Sequence, residues 1–430
     1  MQKIASEQVI IERCIDLLEP GGRFGLILPD GLFNNQGAPS NCPQTRIFLG
    51  RSGRILAIVS LPDYAFRKSG AQNKTSILFF EKFTQTEQRR FDRQYDRLID
   101  EGVDPGDAVA AAVTAADLSY SVFLAEANRV GYSTVGTASP QNDLYRAGAN
   151  GAMNCDQEGT VLREWSLFKS NHAAYPGRTS PDCMGIGFEE LWAAHTSHRL
   201  DPKYHLFKRE AARPVPEGWV KTVISTVMRR REVEFHPEAE PDRLFQVMTL
   251  SQTGEIRPRE AGKGRNPPQW LGTYLADTPG SWFAASSGDV VFSSIDLWKG
   301  CISVVPEEFE GALVSKEFPI YEIIDPRLSA PFLQCLLRSR YYQRAFRAIT
   351  TGHSNRRRTQ ELDFEALEIV FPQSPEEQER IVQGILLARE AQRTAADELR
   401  REFNGFSDLI DGRGDEALPD IPEDGEPGED

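Results

Sequence analysis

The first 83 residues carry short apolar segments that alternate between helical and strand patterns. Four side chains recur at helical spacing just before the turn Pro20-Gly21-Gly22, namely Ile10, Cys14, Leu17 and Leu18. Glycine after the last periodic residue is typical of a helix end. Three nearly continuous apolar runs follow at residues 23–28, 55–61 and 75–80. Such runs are typical of strands buried on both faces of an α/β sheet.

This predicted unit has an open sheet edge. Its first strand has no earlier strand to pair with, and a sheet of only three strands would leave a long hydrophobic edge, which proteins normally cover. The pattern therefore predicts one of two arrangements. Either residues 1–83 complete a sheet that begins on another polypeptide, or the chain is the downstream part of a longer one.

The predicted secondary structure changes twice along the rest of the chain. Helices are predicted at 85–99 and 107–116 and a hairpin around Asn128 at 121–135, whereas residues 148–187 show no clear pattern. Residues 216–373 are rich in strand signals, with short strands predicted at 245–250, 290–293, 301–305 and 318–324. The sequence Ser374-Pro375-Glu376-Glu377 then predicts the start of a helix that runs to about Asn404.

Charge and composition narrow the functional class. The net charge of −14 argues at first against a nucleic-acid partner. However, residues 411–430 contain nine acidic residues and one arginine, so that segment holds most of the excess negative charge. Its Pro, Gly and acid content predicts a disordered tail.

Hydropathy and cysteine spacing bear on the compartment. No apolar run approaches the roughly 18 residues of a membrane helix, which predicts a cytoplasmic protein. Six scattered cysteines without a C-x-x-C pair predict reduced thiols and no metal site.

Residues 12–35 (ERCIDLLEPGGRFGLILPDGLFNN) and 54–82 (RILAIVSLPDYAFRKSGAQNKTSILFFEK) resemble the downstream half of an adenine-specific N6 DNA methyltransferase of the type I modification-subunit kind. In that family the cofactor loop F-x-G-x-G and the catalytic Asn-Pro-Pro-aromatic both lie upstream of the matched region. The resemblance thus implies an S-adenosylmethionine-dependent enzyme that is incomplete as this single chain. The missing half would bind most of the cofactor and supply the catalytic residues.

A second resemblance covers residues 199–404. Five segments occur in the order found in a target-recognition domain and spacer helix of a type I specificity subunit: RLDPKY at 199–204, Gly218-Trp219, SSGDVVFSSI at 286–295, GALVSKEF at 311–318 and PQSPEEQERIV at 372–382. The implied fold is α/β, with the downstream half of a class I, Rossmann-like methyltransferase sheet followed by a mixed α+β target-recognition domain and a long C-terminal helix.

The two resemblances predict five regions. They are a partial N6-adenine methyltransferase domain (1–83), a helical and hairpin connecting region (84–198), a DNA target-recognition domain (199–373), a spacer and dimerisation helix (374–410) and the disordered acidic tail (411–430).

The first resemblance also implies site residues. Phe66 would stack on an adenine flipped from the duplex, with Tyr64 as the alternative stacking residue; a Phe buried at the hairpin end is the competing interpretation. Asp30 and Asn34 would belong to an active-site loop at the carboxyl end of a strand, where α/β proteins bind ligands, or they are simple turn residues. Lys74 would contact a phosphate or merely be exposed.

A basic segment is the second candidate site. Residues 338–358 contain seven arginines and no acid, interleaved with aromatic residues, and such a segment can neutralise phosphates and present guanidinium groups to guanine. The alternative is a solvated helix face, although such faces usually mix charge signs. The predicted DNA-binding residues are Arg338, Arg340, Arg344, Arg347, Arg356, Arg357 and Arg358.

Three functions compete. The leading one is a subunit or fragment of a site-specific DNA adenine N6-methyltransferase of a restriction-modification or defence system, which supplies base stacking and sequence recognition. The alternative is a non-catalytic DNA-specificity subunit in which residues 1–83 only dock. The third is a nuclease built on Pro181-Asp182. Expected partners are double-stranded DNA, a chain that supplies the upstream methyltransferase half, and a second copy or a restriction subunit.

Overall fold

The structure is a computed structural model that describes residues 4–71, 73–147, 153–154, 156–211, 214–259, 269–276, 281–352 and 358–411. Its first group of elements contains helices α1 (Ser6–Leu17), α2 (Gly31–Asn34), α3 (Cys42–Ser52), α4 (Gln85–Asp100), α5 (Pro105–Ala115), α6 (Val161–Ser170), α7 (Phe188–Ala193) and α8 (Pro202–Ala211). The strands of this group are β1 (Arg23–Pro29), β2 (Gly53–Ser60), β3 (Thr75–Lys82), β4 (Ser121–Glu126), β5 (Val130–Tyr132), β6 (Ala138–Asn142), β7 (Arg146–Ala147), β8 (Met153–Asn154), β9 (Arg178–Thr179) and β10 (Asp182–Gly187).

A six-stranded sheet in the order β1-β3-β2-β4-β10-β9 organises this first group. β3 runs antiparallel between β1 and β2, and β4 pairs in parallel with β2. The register aligns Pro29 with Thr75, and Ser60 with both Ser76 and Glu126. The carboxyl ends of β1, β2 and β4 and the start of β3 therefore meet at one edge of the sheet, which we call the polar edge.

One face of the sheet forms the main core with α1, α3, α5 and α7. Phe80, Phe91 and Trp192 are almost fully buried there, and the Trp192 indole donates a hydrogen bond to Gly106 O at 2.8 Å. α4 begins where the sequence predicts it because Thr84 and Glu87 form a capping box. The hydrogen bond from Arg54 lowers the pKa of Glu87 to about 2, against the effect of burial.

The opposite face of the sheet is only partly covered. α6 packs Val161 and Phe168 against Phe123 of β4. Towards β1 and β3 an apolar cleft of about 660 Å³ remains open, and Ile27 and Phe79 stay exposed beside it. Among the residues described, no strand pairs with the outer edge of β1.

One expectation for the connecting region is wrong. The predicted hairpin at 121–135 does not form, because β4 lies inside the sheet between β2 and β10. The four central residues of β4 are buried, so the position of this strand is determined by tertiary packing rather than by the turn signal around Asn128. Residues 148–187, which showed no pattern, contain α6 and β10.

The second group of elements combines helices with small sheets. Its helices are α9 (Ile224–Val227), α10 (Gly272–Ala276), α11 (Ala330–Leu337), α12 (Arg340–Ile349), α13 (Glu361–Glu365) and α14 (Pro375–Ile410). Its strands are β11 (Trp219–Val223), β12 (Met228–Arg231), β13 (Glu234–Phe235), β14 (Leu244–Gln246), β15 (Met248–Leu250), β16 (Ile256–Pro258), β17 (Gln269–Leu271), β18 (Trp282–Ala284), β19 (Val290–Phe292), β20 (Ile302–Val304), β21 (Leu313–Ser315), β22 (Ile320–Ile323) and β23 (Glu368–Pro372).

The largest sheet of this group has the order β12-β22-β19-β20. Its core contains the aromatic cluster Phe292, Tyr321, Phe346 and Phe364. The expected mixed α/β architecture with several sheets and a long C-terminal helix is thus confirmed. Within the described residues, no helix combines the length and apolarity that crossing a membrane requires.

Replacing Gly53 with Ala should destabilise the first sheet. The added Cβ would lie 2.1 Å from Glu81 O and 2.7 Å from the Phe80 ring, so two paired strands would have to separate. We expect a loss of about 1–3 kcal/mol in the free energy of unfolding, measured by urea denaturation. Gly384→Ala is the control, because that Cβ meets open space on α14 and alanine favours a helix by about 0.5–1 kcal/mol. Equal stability of the two variants would contradict the strand packing.

Candidate nucleic-acid interface

The structure brings the predicted residues Asp30, Asn34 and Lys74 together at the polar edge, and all three are buried. The Asp30 carboxylate accepts a hydrogen bond from Ser76 Oγ at 2.6 Å, and the Asp30 N–H donates to Lys74 O at 2.9 Å. Asn34 Oδ1 accepts from the Gly352 N–H at 3.1 Å. The loop after β1 therefore contacts the second group of elements directly.

Lys74 is neither exposed nor open to solvent. Its ammonium group lies 3.5 Å from the Glu126 carboxylate, which also accepts a hydrogen bond from Arg347 at 2.7 Å. Burial alone would raise the pKa of Glu126, but the charges of Lys74 and Arg347 outweigh it and lower the pKa. A buried carboxylate with two cations thus holds α12 against the end of β4.

Residues 199–205 connect the polar edge to α12 from the other side. Arg199 donates to both Asp201 oxygens at 2.9 Å and to Ala348 O at 2.7 Å, while the Lys203 ammonium donates to Thr350 O at 2.9 Å. Burial lowers the pKa of Lys203 to about 8 although Asp201 opposes the shift. The sequence analysis did not select these residues for a site. The available signal was five titratable side chains within seven positions.

Three buried threonines, Thr350, Thr351 and Thr359, flank the last part of the basic segment in the sequence. Thr351 and Arg358 pair through two backbone hydrogen bonds of 2.9 and 3.0 Å, and the Thr350 and Thr359 hydroxyls lie 3.0 Å apart. The residues on either side of segment 352–357 are thus paired with each other, and its first residue, Gly352, binds Asn34. We call residues 352–357 the arginine loop. Arg356 and Arg357 lie in it and fall outside the described residues.

The remaining predicted arginines have partners from distant parts of the chain, with one exception. Arg344 pairs with Glu210 at 2.5 Å, Arg347 with Glu126 at 2.7 Å, and Arg358 with Glu317 at 2.8 Å. Arg338 is half-buried and donates to Gly300 O at 2.6 Å. Arg340 is exposed. Their contact with DNA stays a prediction, and the folded protein offsets much of the local positive charge.

The aromatic loop between β2 and β3 starts and ends at the same polar edge. The Tyr64 hydroxyl donates to Asn128 O at 2.9 Å, and its ring meets Tyr132 edge-on at 6.0 Å. Burial raises the pKa of Tyr64. Phe66 is half-buried, and the exposed side chains of Arg67 and Lys68 follow it. Base stacking by Phe66 or Tyr64 stays a prediction. The positively charged side chains of Arg67 and Lys68 follow these aromatic residues in the chain.

Four buried polar atoms at this edge have no partner among the described residues: Asp30 Oδ2, Asn34 Nδ2, Ser60 Oγ and Thr75 Oγ1. Such atoms are costly to leave unpaired. S-adenosylmethionine does not fit here, because β1 leads directly into α2, whose four residues are all buried and offer no open glycine loop. Cofactor binding by a segment outside this chain stays a prediction.

Metal-dependent cleavage finds no support in the part of the chain that the structure describes. No three His, Cys, Asp or Glu side chains are grouped there in a way that could hold a metal ion. Asp182, the acid of the nuclease interpretation, pairs with Arg209 at 2.7 Å.

No protein-family model matches the chain, and no curated protein matches it. Similar solved structures include the HsdS subunit from Thermoanaerobacter tengcongensis, with 22% identity over 49% of this chain and 54% of that chain and a TM-score of 0.34. The type I restriction-modification S subunit from M. genitalium has 17% identity over 43% of each chain and a TM-score of 0.27. The type IIG restriction endonuclease BpuSI has 10% identity over 90% of this chain and 44% of that chain, with a TM-score of 0.37.

The chain thus spans about half the length of these proteins or less. Scores this low establish neither a shared fold nor a function. Two of the three proteins are specificity subunits, the class that the second resemblance names.

The expectation that this chain is a DNA adenine N6-methyltransferase enzyme is wrong. The finding against it is that the similar solved structures include specificity subunits. The observed contacts agree with this correction, because Asp30, Asn34 and Lys74 bind other groups of the protein itself.

Replacing Lys203 with Met should remove a pH dependence of stability. Burial lowers the pKa of Lys203 to about 8 in the folded chain from its ordinary value of 10.5, so the unfolded chain binds this proton more strongly. Relative to the variant, the natural chain should be most stable above pH 10.5, lose stability as the pH falls from 10.5 to about 8, and show a constant difference below that. The change is on the order of 3 kcal/mol, measured by urea denaturation across this range.

Lys208→Met on the same helix is the matched control, because its side chain is exposed. This variant should show the same change of unfolding free energy with pH as the natural chain. A difference between the natural chain and Lys203→Met that stays constant with pH would contradict the buried state of the Lys203 ammonium group.

Proposed function

We propose that this chain is a non-catalytic DNA-specificity subunit of a restriction-modification system. The observation that carries the proposal is the anchoring of the arginine loop: Thr351 and Arg358 on either side of it pair with each other, and Asn34 of the polar edge binds Gly352. Anchoring of this kind would lower the entropy cost of binding, so that the side chains of the loop read a duplex.

The arginine loop has the chemistry for contact with DNA. Its sequence Gly352-His353-Ser354-Asn355-Arg356-Arg357 combines two guanidinium forks with amide and hydroxyl groups. Arginine forks pair with guanine edges or phosphates, and Asn pairs with adenine. Because Arg344, Arg347 and Arg358 already have acidic partners, we assign the DNA contact chiefly to Arg356 and Arg357.

The α/β unit would act as a docking module beside this reader. In β1, β2 and β3 an antiparallel strand lies between two parallel ones, which is the arrangement expected at the downstream end of a class I methyltransferase sheet. The unpaired edge of β1 and the apolar cleft next to it offer backbone and side-chain contacts to another subunit. The resemblance of residues 1–83 is then one of architecture without catalysis.

Pairing of α14 would give the subunit two recognition domains. Leu399, Phe403, Phe406 and Ile410 recur at spacings of four, three and four residues and are 59–69% exposed. This spacing is that of the apolar seam of a coiled coil, the stripe of side chains that faces the partner helix. A helix with such an exposed seam gains stability by packing against a second helix. We propose that the second helix comes from another copy, which would join two half-sites into one bipartite target.

Changing Arg356 and Arg357 together to Ala should weaken DNA binding and its salt dependence. If each guanidinium neutralises one phosphate, the slope of log K against log salt should fall by about 2. If they read bases instead, affinity should fall by about tenfold or more while the salt slope changes less. Fluorescence anisotropy with a labelled duplex library at several salt concentrations measures both.

Arg89→Ala with Arg90→Ala is the matched control, since these adjacent arginines are exposed on α4. It should leave affinity and slope unchanged. A natural chain that binds no duplex, or a loop variant that binds like the control, would refute the DNA contact assigned to the arginine loop.

Replacing Leu399 with Glu should separate the dimer, because a charge would enter the helix seam. Leu387→Glu is the matched control. Both leucines are 59% exposed on α14, but Leu387 lies about 120° around the helix from the seam. Light scattering after size-exclusion chromatography should give monomers for the first variant and dimers for the second. Dimers in both, or a monomeric natural chain, would contradict the pairing.

A further inference from the structure

An arginine-lined groove lies between α14 and the turn that joins β15 to β16. It consists of two connected cavities of about 670 and 510 Å³ that share Gly254, Arg257, Gln334, Arg393 and Arg400. The groove also contains Arg259 and Arg389. Five arginines thus surround one surface depression, far along the chain from the arginine loop.

The acids of the groove do not match these charges. Three acidic side chains line it: Glu255, Glu308 and Asp397. Glu255 pairs with Arg257, and Asp397 pairs with Arg400 at 3.1 Å. Arg389 and Arg393 have no ion pair within the described ranges. Arg338, which lies near the groove, has a pKa lowered by burial and by the charge of Arg389. The groove therefore has an excess of positive charge at Arg389 and Arg393.

The same chain carries a strongly acidic segment immediately after this helix. Residues 412–430 contain eight acidic residues and one arginine. α14 ends at Ile410, and Arg393 lies 17 positions earlier, which is about 26 Å along the helix. Nineteen residues can span up to about 60 Å, so the segment is long enough to return to the groove. Its charge is opposite to that of the groove, and its attachment keeps its local concentration high.

We infer that the acidic segment 412–430 occupies the arginine groove and competes there with the DNA backbone. The segment would present carboxylates to Arg389 and Arg393 in place of phosphates. Every duplex that uses the groove would have to displace the segment, and a specific site would keep enough affinity to do so through its further contacts with the arginine loop. The competition with DNA rests on the proposed function, whereas the occupation of the groove does not.

Arginine reactivity tests the occupation without DNA. We compare the full natural chain with a variant in which all eight acids of 412–430 become Asn or Gln: Asp415, Glu416, Asp420, Glu423, Asp424, Glu426, Glu429 and Asp430. Phenylglyoxal modifies accessible arginines, and mass spectrometry gives the rate at each one. Arg389 and Arg393 should react about threefold or more slowly in the natural chain at low salt, and the difference should vanish at high salt because salt screens the attraction.

Arg89 and Arg90 on α4 serve as internal controls, and their rates should be equal in the two proteins. Equal rates at Arg389 and Arg393, or the same change at all arginines, would overturn the inference. Protection that disappears on dilution would also overturn it, because the segment would then come from a second copy.

A groove variant tests the position. With the acidic segment left intact, Arg393→Glu should raise the modification rate of Arg389 to its rate in the amide variant, because the segment loses its binding site. Continued protection of Arg389 would refute occupation of this groove.

DNA binding is measured separately. The amide variant should bind a non-specific duplex about tenfold more tightly than the natural chain at low salt, with a smaller difference at high salt. Equal affinity of the two proteins would overturn the competition. If neither protein binds DNA, the proposed function fails, while the reactivity of Arg389 and Arg393 still decides whether the groove is occupied.

Discussion

The buried polar contact between the sheet edge and the end of α12 sets the relation of the two groups of elements. Arg199, Lys203 and Asn34 donate to or accept from backbone groups of residues 348–352. Removing one partner of a buried charge or amide leaves the other unpaired at a cost of several kcal/mol. The position of the arginine loop relative to the first sheet therefore depends on these contacts.

The elements that the sequence predicted correctly are those with a strong local signal. β1, β2 and β3 follow from continuous apolar runs, and α14 follows from Ser374, whose hydroxyl accepts from the Glu377 N–H at 3.2 Å. β4 was misplaced because its partners lie about 65 positions earlier and 60 later in the chain. The hydrophobic pattern of a short stretch of sequence contains no information on which distant strands pair. That pairing follows only from the packing of both faces of the folded sheet.

The candidate site was predicted in part for the same reason. Asp30 and Asn34 follow a strand end, so their placement at the polar edge could be argued from topology. The acids that pair with Arg344, Arg347 and Arg358 lie 41 to 221 positions away, and a local charge count cannot reveal them. Residues 199–204 were matched to a target-recognition domain, but their contacts were not predicted, because the buried partners of Arg199 and Lys203 at residues 348–350 lie about 150 positions away.

The negative net charge is compatible with sequence-specific binding. Non-specific affinity for DNA comes almost entirely from phosphate neutralisation, whereas specific affinity adds base contacts at short range. A chain with a net charge of −14 repels duplexes at long range, and it does so equally for every sequence. Specific and non-specific affinity therefore fall by the same factor, and their ratio, which decides occupancy among many competing sites, is preserved. A specific site, which gains further free energy from base contacts, stays occupied at protein concentrations at which the weaker non-specific binding is lost.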